Sequence, residues 1–179
     1  AAAVAAGMVS AALATQTGGS TIRPAAYCGI VGYKPAYGVI PIRGIKHLAP
    51  SFDTIGIMAR DIADVAVLSS VLSRSSQPAR VDAAEPPALV LFLTPYHDQA
   101  ERSAISCLTR VARTASEHGA AVRSLASPDW MSGLDSAHGT IMAFEAAHAF
   151  AHEWDHHRPR LSGEMCELIA RGQALSLDD

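Results

Sequence analysis

The chain has 179 residues, of which 49% are apolar, 17% charged and 6% aromatic, with a formal net charge of −3. This describes a globular protein of one or at most two domains, long enough to bury a core. Its only lysines are Lys34 and Lys46, and the chain has no basic cluster, so it lacks the footprint that phosphate backbones require; nucleic acid is not an expected partner.

Cys28, Cys107 and Cys166 are odd in number, widely spaced and free of any CxxC pair. They read as buried thiols in a reducing, cytoplasmic compartment. No apolar run approaches the roughly 18 uninterrupted residues of a membrane span. The chain opens on AAAVAAGMVSAALA, without an initiator Met and in mid-helix, and stops at Leu177-Asp178-Asp179 soon after a helix. Both ends read as cuts, so the sequence is expected to be a piece of a longer protein.

In chain order, residues 1–13 predict a short alanine-rich helix, since alanine has the highest helix propensity, and it should deliver Thr15–Ser20 into the interior. Residues 15–29, TQTGGSTIRPAAYCG, are not ordinary packing. Gly18 and Gly19 stand directly before the hydroxyl of Ser20, and glycine permits positive φ and close backbone approach. Successive N–H groups in such a turn converge on an anionic oxygen, which beside a serine supplies a nucleophile and an oxyanion hole. Taken alone, Gly-Gly-Ser is more often a surface turn. Arg23, next to the turn, is placed either to clamp a substrate carboxylate or to pair with a structural acid. Residues 25–33 are apolar and expected to be buried, with Tyr27 a packing residue; 36–50 carry glycine and proline every few positions and suit loops and short strands. In this stretch Tyr37 is expected to pack with its hydroxyl bonded, and His47 is a weak alternative base for Ser20. Asp53, just beyond it, suits a turn cap.

Asp61 is the N-cap of the clearest helix, with Asp64 in its first turn and Ile62, Val65, Leu68 and Leu72 as the buried stripe. Residues 73–87 read as a polar surface connection. A strand at 88–94, a helix at about 99–118 with Ala104, Ile105, Leu108, Val111, Ala112 and Ala115 on one side, and a strand at 120–125 form a βαβ unit with parallel pairing. One helix is expected over 136–157, and another begins behind Ser162 as N-cap.

His152-Glu153-Trp154-Asp155-His156 fits HExxH, in which two histidines one turn apart bind zinc and the glutamate acts as general base. His148 and His157 add imidazoles, and Glu164 and Glu167 are the nearby acids for a third ligand position. The same letters describe a solvated polar helix face, which is the commoner origin of so short a pattern.

The run AAAVAAGMVSAALATQTGGSTIRPAAYCGIVGYKPAYGVI, continued in SFDTIGIMARDIADVAVLSSVL, resembles the amidase signature family of serine hydrolases. The resemblance is strong to about residue 72 and weak beyond it. It implies an α/β fold, a mixed and largely parallel sheet flanked by helices, with the chain as the central portion of a single domain: 1–72 the nucleophile-bearing segment, 88–179 a variable βαβ and helical segment. It puts Ser20 at the acylated nucleophile and the N–H groups of Thr17, Gly18, Gly19 and Ser20 at the oxyanion hole. Arg23, three residues after that serine and followed by Pro24, is similar to members acting on small carboxylate-bearing amides such as malonamate. The family's base is a neutral lysine working through a second, bridging serine, and neither Lys34, Lys46 nor Ser10 stands at those positions. The implied function is therefore amide hydrolysis, with this piece alone inert. Alternatives are the glutaminase component of an amidotransferase, a zinc peptidase on His152 and His156, or a degenerate relative. The implied partners are a small amide substrate and, as an option, a second copy in a homodimer; no metal or cofactor is implied.

Overall fold

The computed structural model describes residues 1–73 and 87–176. The expected connection at 73–87 lies almost wholly outside the described residues. The chain divides into two compact units, one from 1–80 and 138–179, the other from 81–137.

The first unit is built on a three-stranded antiparallel sheet of β1 (Ala11–Gln16), β2 (Val31–Tyr33) and β3 (Thr54–Ala59), in the order β1-β3-β2. All six residues of β3 are buried. Its β-branched Thr54, Ile55 and Ile57 suit a strand flanked on both sides. Ile40, Ile55, Ile57, Ala59 and Val65 form the core beside it.

The alanine-rich opening departs from expectation. The helix α1 is only Ala2–Ala5, and Gly7, at φ 72°, turns the chain away from it. Residues 11–16 then run as β1, with Ala11 opposite Ala59 and Gln16 opposite Thr54. Helix propensity differs by only a few tenths of a kcal/mol per residue among ordinary residues, so six ladder positions against a buried strand outweigh it. Arg60 pins the turn by donating from Nη1 to the carbonyls of Val4 (3.1 Å) and Val9 (3.0 Å).

Helix α2 (Ile22–Tyr27) lies close to β3, because a Cβ on Gly56 would stand 2.5 Å from Thr21 Oγ1. Ala25 is buried as expected, but Tyr27 is 91% exposed rather than packed. The cysteines are free thiols, yet Cys107 is exposed and Cys28 and Cys166 are half-buried, so none is the buried thiol expected. Helix α3 (Ile62–Leu72) starts at Asp61, whose carboxylate accepts from Asp64 N at 2.8 Å. Val65 is buried and Leu68 and Leu72 pack against the core, whereas Ile62 is exposed at the helix entry. The unit is completed by α5 (Leu134–Ala149, in the unit from His138 onward), α6 (Ala151–His157) and α7 (Gly163–Gln173). The helix expected over 136–157 is thus interrupted at Phe150. Ser162 caps α7 as expected, its hydroxyl accepting from Met165 N at 3.2 Å.

In the second unit, β4 (Ala88–Leu93) pairs in parallel with β5 (Ala121–Ala126) across α4 (Arg102–Glu117), the expected βαβ. None of α4 is buried: Leu108 and Val111 remain 56% and 57% exposed, since two strands are too narrow to cover the whole stripe. The α/β class holds, but the larger sheet is antiparallel rather than parallel. Its strands are joined by loops and one short helix rather than by long helical crossovers, which permits antiparallel neighbours.

Candidate functional site

The turn 17–20 leaves the end of β1 and enters α2. Buried Gln16 controls that passage. Its Oε1 accepts from Thr21 N (3.0 Å) and Ile22 N (3.1 Å), two donors at the start of α2 that helix geometry leaves without partners. Its Nε2 donates to Gly18 O at 3.2 Å. One amide side chain therefore closes the loop from both sides.

Thr17 is held by a second buried group. Its hydroxyl donates to Asp53 Oδ1, while Asp53 Oδ2 accepts from Leu48 N (2.8 Å) and Ala49 N (3.1 Å). Asp53 is thus the turn cap expected of it, and it also ties the 47–53 loop to the Gly-Gly-Ser turn. His47 Nδ1 lies 3.3 Å from the same carboxylate without a hydrogen bond to it, so the structure sets this histidine beside Asp53 rather than Ser20. Tyr37 donates its hydroxyl to Pro50 O at 2.8 Å from an otherwise exposed ring.

Ser20 is exposed. Among the described residues the N–H groups of Gly18, Gly19 and Ser20 have no acceptor. Neither Gly18 nor Gly19 adopts the positive φ that their sequence allows. At position 19 the backbone comes close enough to the exposed Arg23 side chain that a Cβ would stand 2.6 Å from its Nε. The Arg23 side chain consequently lies against the turn, exposed and with no acidic partner among the described residues.

Sequence reasoning passes over His138 on α5. Its Nε2 is 3.2 Å from Thr17 O, its ring packs at a tilt against Phe52 with centroids 4.6 Å apart, and its Cε1 lies 3.6 Å from where a Gly18 Cβ would be. Glu145, two turns on, accepts from Ser51 N at 2.9 Å and from the Ser51 hydroxyl. Glu153, two further turns along, binds Lys46 at 3.0 Å. His138 and Glu145, seven residues apart on α5, and Glu153 on α6, beyond the interruption at Phe150, each meet the 46–53 loop.

That role changes the reading of the HExxH letters. Both Glu153 oxygens are engaged by the Lys46 ammonium, and this hydrogen bond is the main reason its pKa is lowered. The His152 and His156 rings stack at 4.6 Å, and Glu164 is held at the α7 cap by its own N–H and by Ser162. Among the described residues, no three His, Cys, Asp or Glu side chains are grouped to hold a metal. No helix among them is long and apolar enough to cross a membrane.

With that geometry in place, comparison with known proteins is specific. A family model described as Amidase matches residues 1–112. The chain is 49% identical over 92 residues to a mitochondrial glutamyl-tRNA(Gln) amidotransferase subunit of Mycosarcoma maydis, covering 47% of this chain and 17% of that one. It is also 49% identical over 73 residues to the corresponding glutamyl-tRNA(Gln) amidotransferase subunit of Thermotoga maritima, covering 41% and 15%. A solved amidase superposes with a TM-score of 0.87 at 26% identity, covering 98% of this chain and 40% of that one. The native peptide amidase from Stenotrophomonas maltophilia shares the fold at a TM-score of 0.72 and 24% identity, over 99% and 43%. The chain spans only 15–17% of these curated relatives and 40–43% of these solved structures. It belongs to the amidase family.

Proposed function

We propose that this chain carries the nucleophile and oxyanion turn of a serine hydrolase that cleaves a small amide, with Arg23 receiving a carboxylate of the substrate. The observation that carries the reading is an exposed Ser20 beside consecutive N–H groups with no acceptor, next to an arginine with no acidic partner among the described residues. Ser20 Oγ attacks the amide carbonyl, and the oxygen, now negative, is received by the N–H groups of Thr17, Gly18, Gly19 and Ser20. The C–N bond breaks, ammonia or amine departs with a proton, and water hydrolyses the acyl-serine.

The proton must pass through a base. His47 lies beside Asp53, Lys34 donates to Pro35 O and Lys46 is held by Glu153. The resemblance implies that this base is a lysine working through a bridging serine, neither of which stands in this sequence, so the 179-residue chain alone is proposed to be inert.

The test is Ser20→Ala in the complete protein, assayed on small amides with and without a carboxylate. The expected result is loss of turnover with an unchanged unfolding midpoint, because Ser20 is exposed. Wild-type-like turnover overturns the assignment. Chelator treatment in the same assay should have no effect; loss of activity restored by zinc would instead favour the His152/Glu153/His156 site.

A second reading, glutamine hydrolysis within an amidotransferase, is favoured by the curated relatives at 47–51% identity, which are glutamyl-tRNA(Gln) amidotransferase subunits. Ammonia release from glutamine in preference to small acidic amides would select it.

A further inference from the structure

The geometry points to His138 as a positioning residue that aims the Gly18 N–H of the oxyanion turn, an inference that rests on the reading of Ser20 and its turn given above. Thr17 O and Gly18 N–H belong to the same planar peptide unit and point in opposite directions across it. Whatever grips the carbonyl therefore sets the direction of the N–H. His138 Nε2 is 3.2 Å from Thr17 O, and a carbonyl only accepts, so Nε2 carries the hydrogen. The next peptide unit is held in the same way, with Gln16 Nε2 donating to Gly18 O at 3.2 Å and so directing the Gly19 N–H. Two side chains from different elements thus hold two successive carbonyls of the turn, leaving both N–H groups without an acceptor among the described residues.

His138 is itself fixed. Its ring packs at a tilt against Phe52, centroids 4.6 Å apart, and Glu145 on the same helical face binds Ser51 next door. An oxyanion donor contributes only when preorganised on the position that the oxyanion will occupy, so a peptide plane free to rock would lose part of its effect.

The experiment compares His138→Phe and His138→Gln in the complete protein, with Ser20→Ala as reference. Phenylalanine keeps an aromatic face for Phe52 but has no donor, whereas glutamine places an amide Nε2 near the imidazole Nε2. The expected result is a fall in kcat of about tenfold or more for His138→Phe, with KM changed by less than about twofold and recovery of most of kcat in His138→Gln. A kcat for His138→Phe within about twofold of wild type would overturn the assignment, as would a His138→Gln variant no better than the Phe variant. Should His138→Phe fail to fold, His138→Gln against His138→Met decides by the same criterion of donor against no donor. Turnover that persists in Ser20→Ala would instead remove the nucleophile reading beneath it, so the two failures are distinguishable.

Discussion

Gln16→Leu should destabilise the first unit without opening a cavity, since leucine approximates the volume of glutamine but lacks its polar atoms. Gln16 is 8% exposed and makes three hydrogen bonds, to Thr21 N, Ile22 N and Gly18 O. A typical intramolecular hydrogen bond contributes about 1 kcal/mol net, and a buried donor left without a partner costs about 1–3 kcal/mol. Thr21 is fully buried, so its N–H incurs the larger figure, whereas Gly18 and Ile22 are exposed and water can replace part of their loss. The expected loss is about 3–4 kcal/mol. The assay is urea unfolding followed by tryptophan fluorescence in a Trp130→Phe background, so that Trp154 alone reports on its own unit. A loss below about 1 kcal/mol would refute the claim that this side chain holds the turn, because it would fall short of even one ordinary hydrogen bond.

Gly172→Ala should also destabilise this unit: a Cβ there would stand 1.9 Å from Ala143 O, backbone that cannot swing aside, and overpacking of this kind typically costs about 1–3 kcal/mol in denaturant unfolding. Arg23→Met should raise KM for carboxylate-bearing amides by about tenfold or more while sparing neutral ones, and an equal effect on both classes would exclude a carboxylate clamp. Glu153 has its pKa lowered by the Lys46 hydrogen bond, so the contribution of this pair is present above the carboxyl group's unfolded value and is lost as pH falls through the lower folded value. In an NMR titration, Lys46→Met should move the Glu153 midpoint upward; an unmoved midpoint would mean the ammonium is not its cause.

Where local chemistry and tertiary demand agree, the sequence is legible. Asp61 and Ser162 cap the helices expected of them, and the apolar run from Ala88 and the helix ending before Gly119 give the parallel pair β4 and β5. The opening alanines mislead because nothing in residues 1–16 shows that a fully buried strand, β3, waits about forty positions later to pair with them. That strand is visible as TIGIMA, with β-branched residues at 54, 55 and 57, but its place at the centre of the sheet is a long-range fact. The candidate site divides the same way. Thr17, Gly18, Gly19, Ser20 and Arg23 are neighbours in sequence and readable together. His138 and Asp53 reach the turn through pairings of 121 and 36 residues' separation, which no local pattern encodes. The signal on offer is the seven-residue spacing of His138 and Glu145 among alanines, two polar positions on one face of α5.

In this turn the backbone N–H groups are partnered differently from the carbonyls. Gly18, Gly19 and Ser20 keep theirs without an acceptor among the described residues, yet the carbonyls of Thr17 and Gly18 are both bonded, to His138 and Gln16. If the loop were merely loose, donors and acceptors would be exposed alike. Side chains hold the carbonyls of Thr17 and Gly18, and the N–H of each of these peptide planes points away from that contact. The grip also explains why helices from the region of weakest family resemblance matter to the site. Through His138 on Thr17, Glu145 on Ser51 and Glu153 on Lys46, α5 and α6 fasten the loop that carries Asp53, and Asp53 in turn fastens Thr17. A chain without residues 138–157 would keep the letters of the motif but lose the groups that orient its first peptide plane.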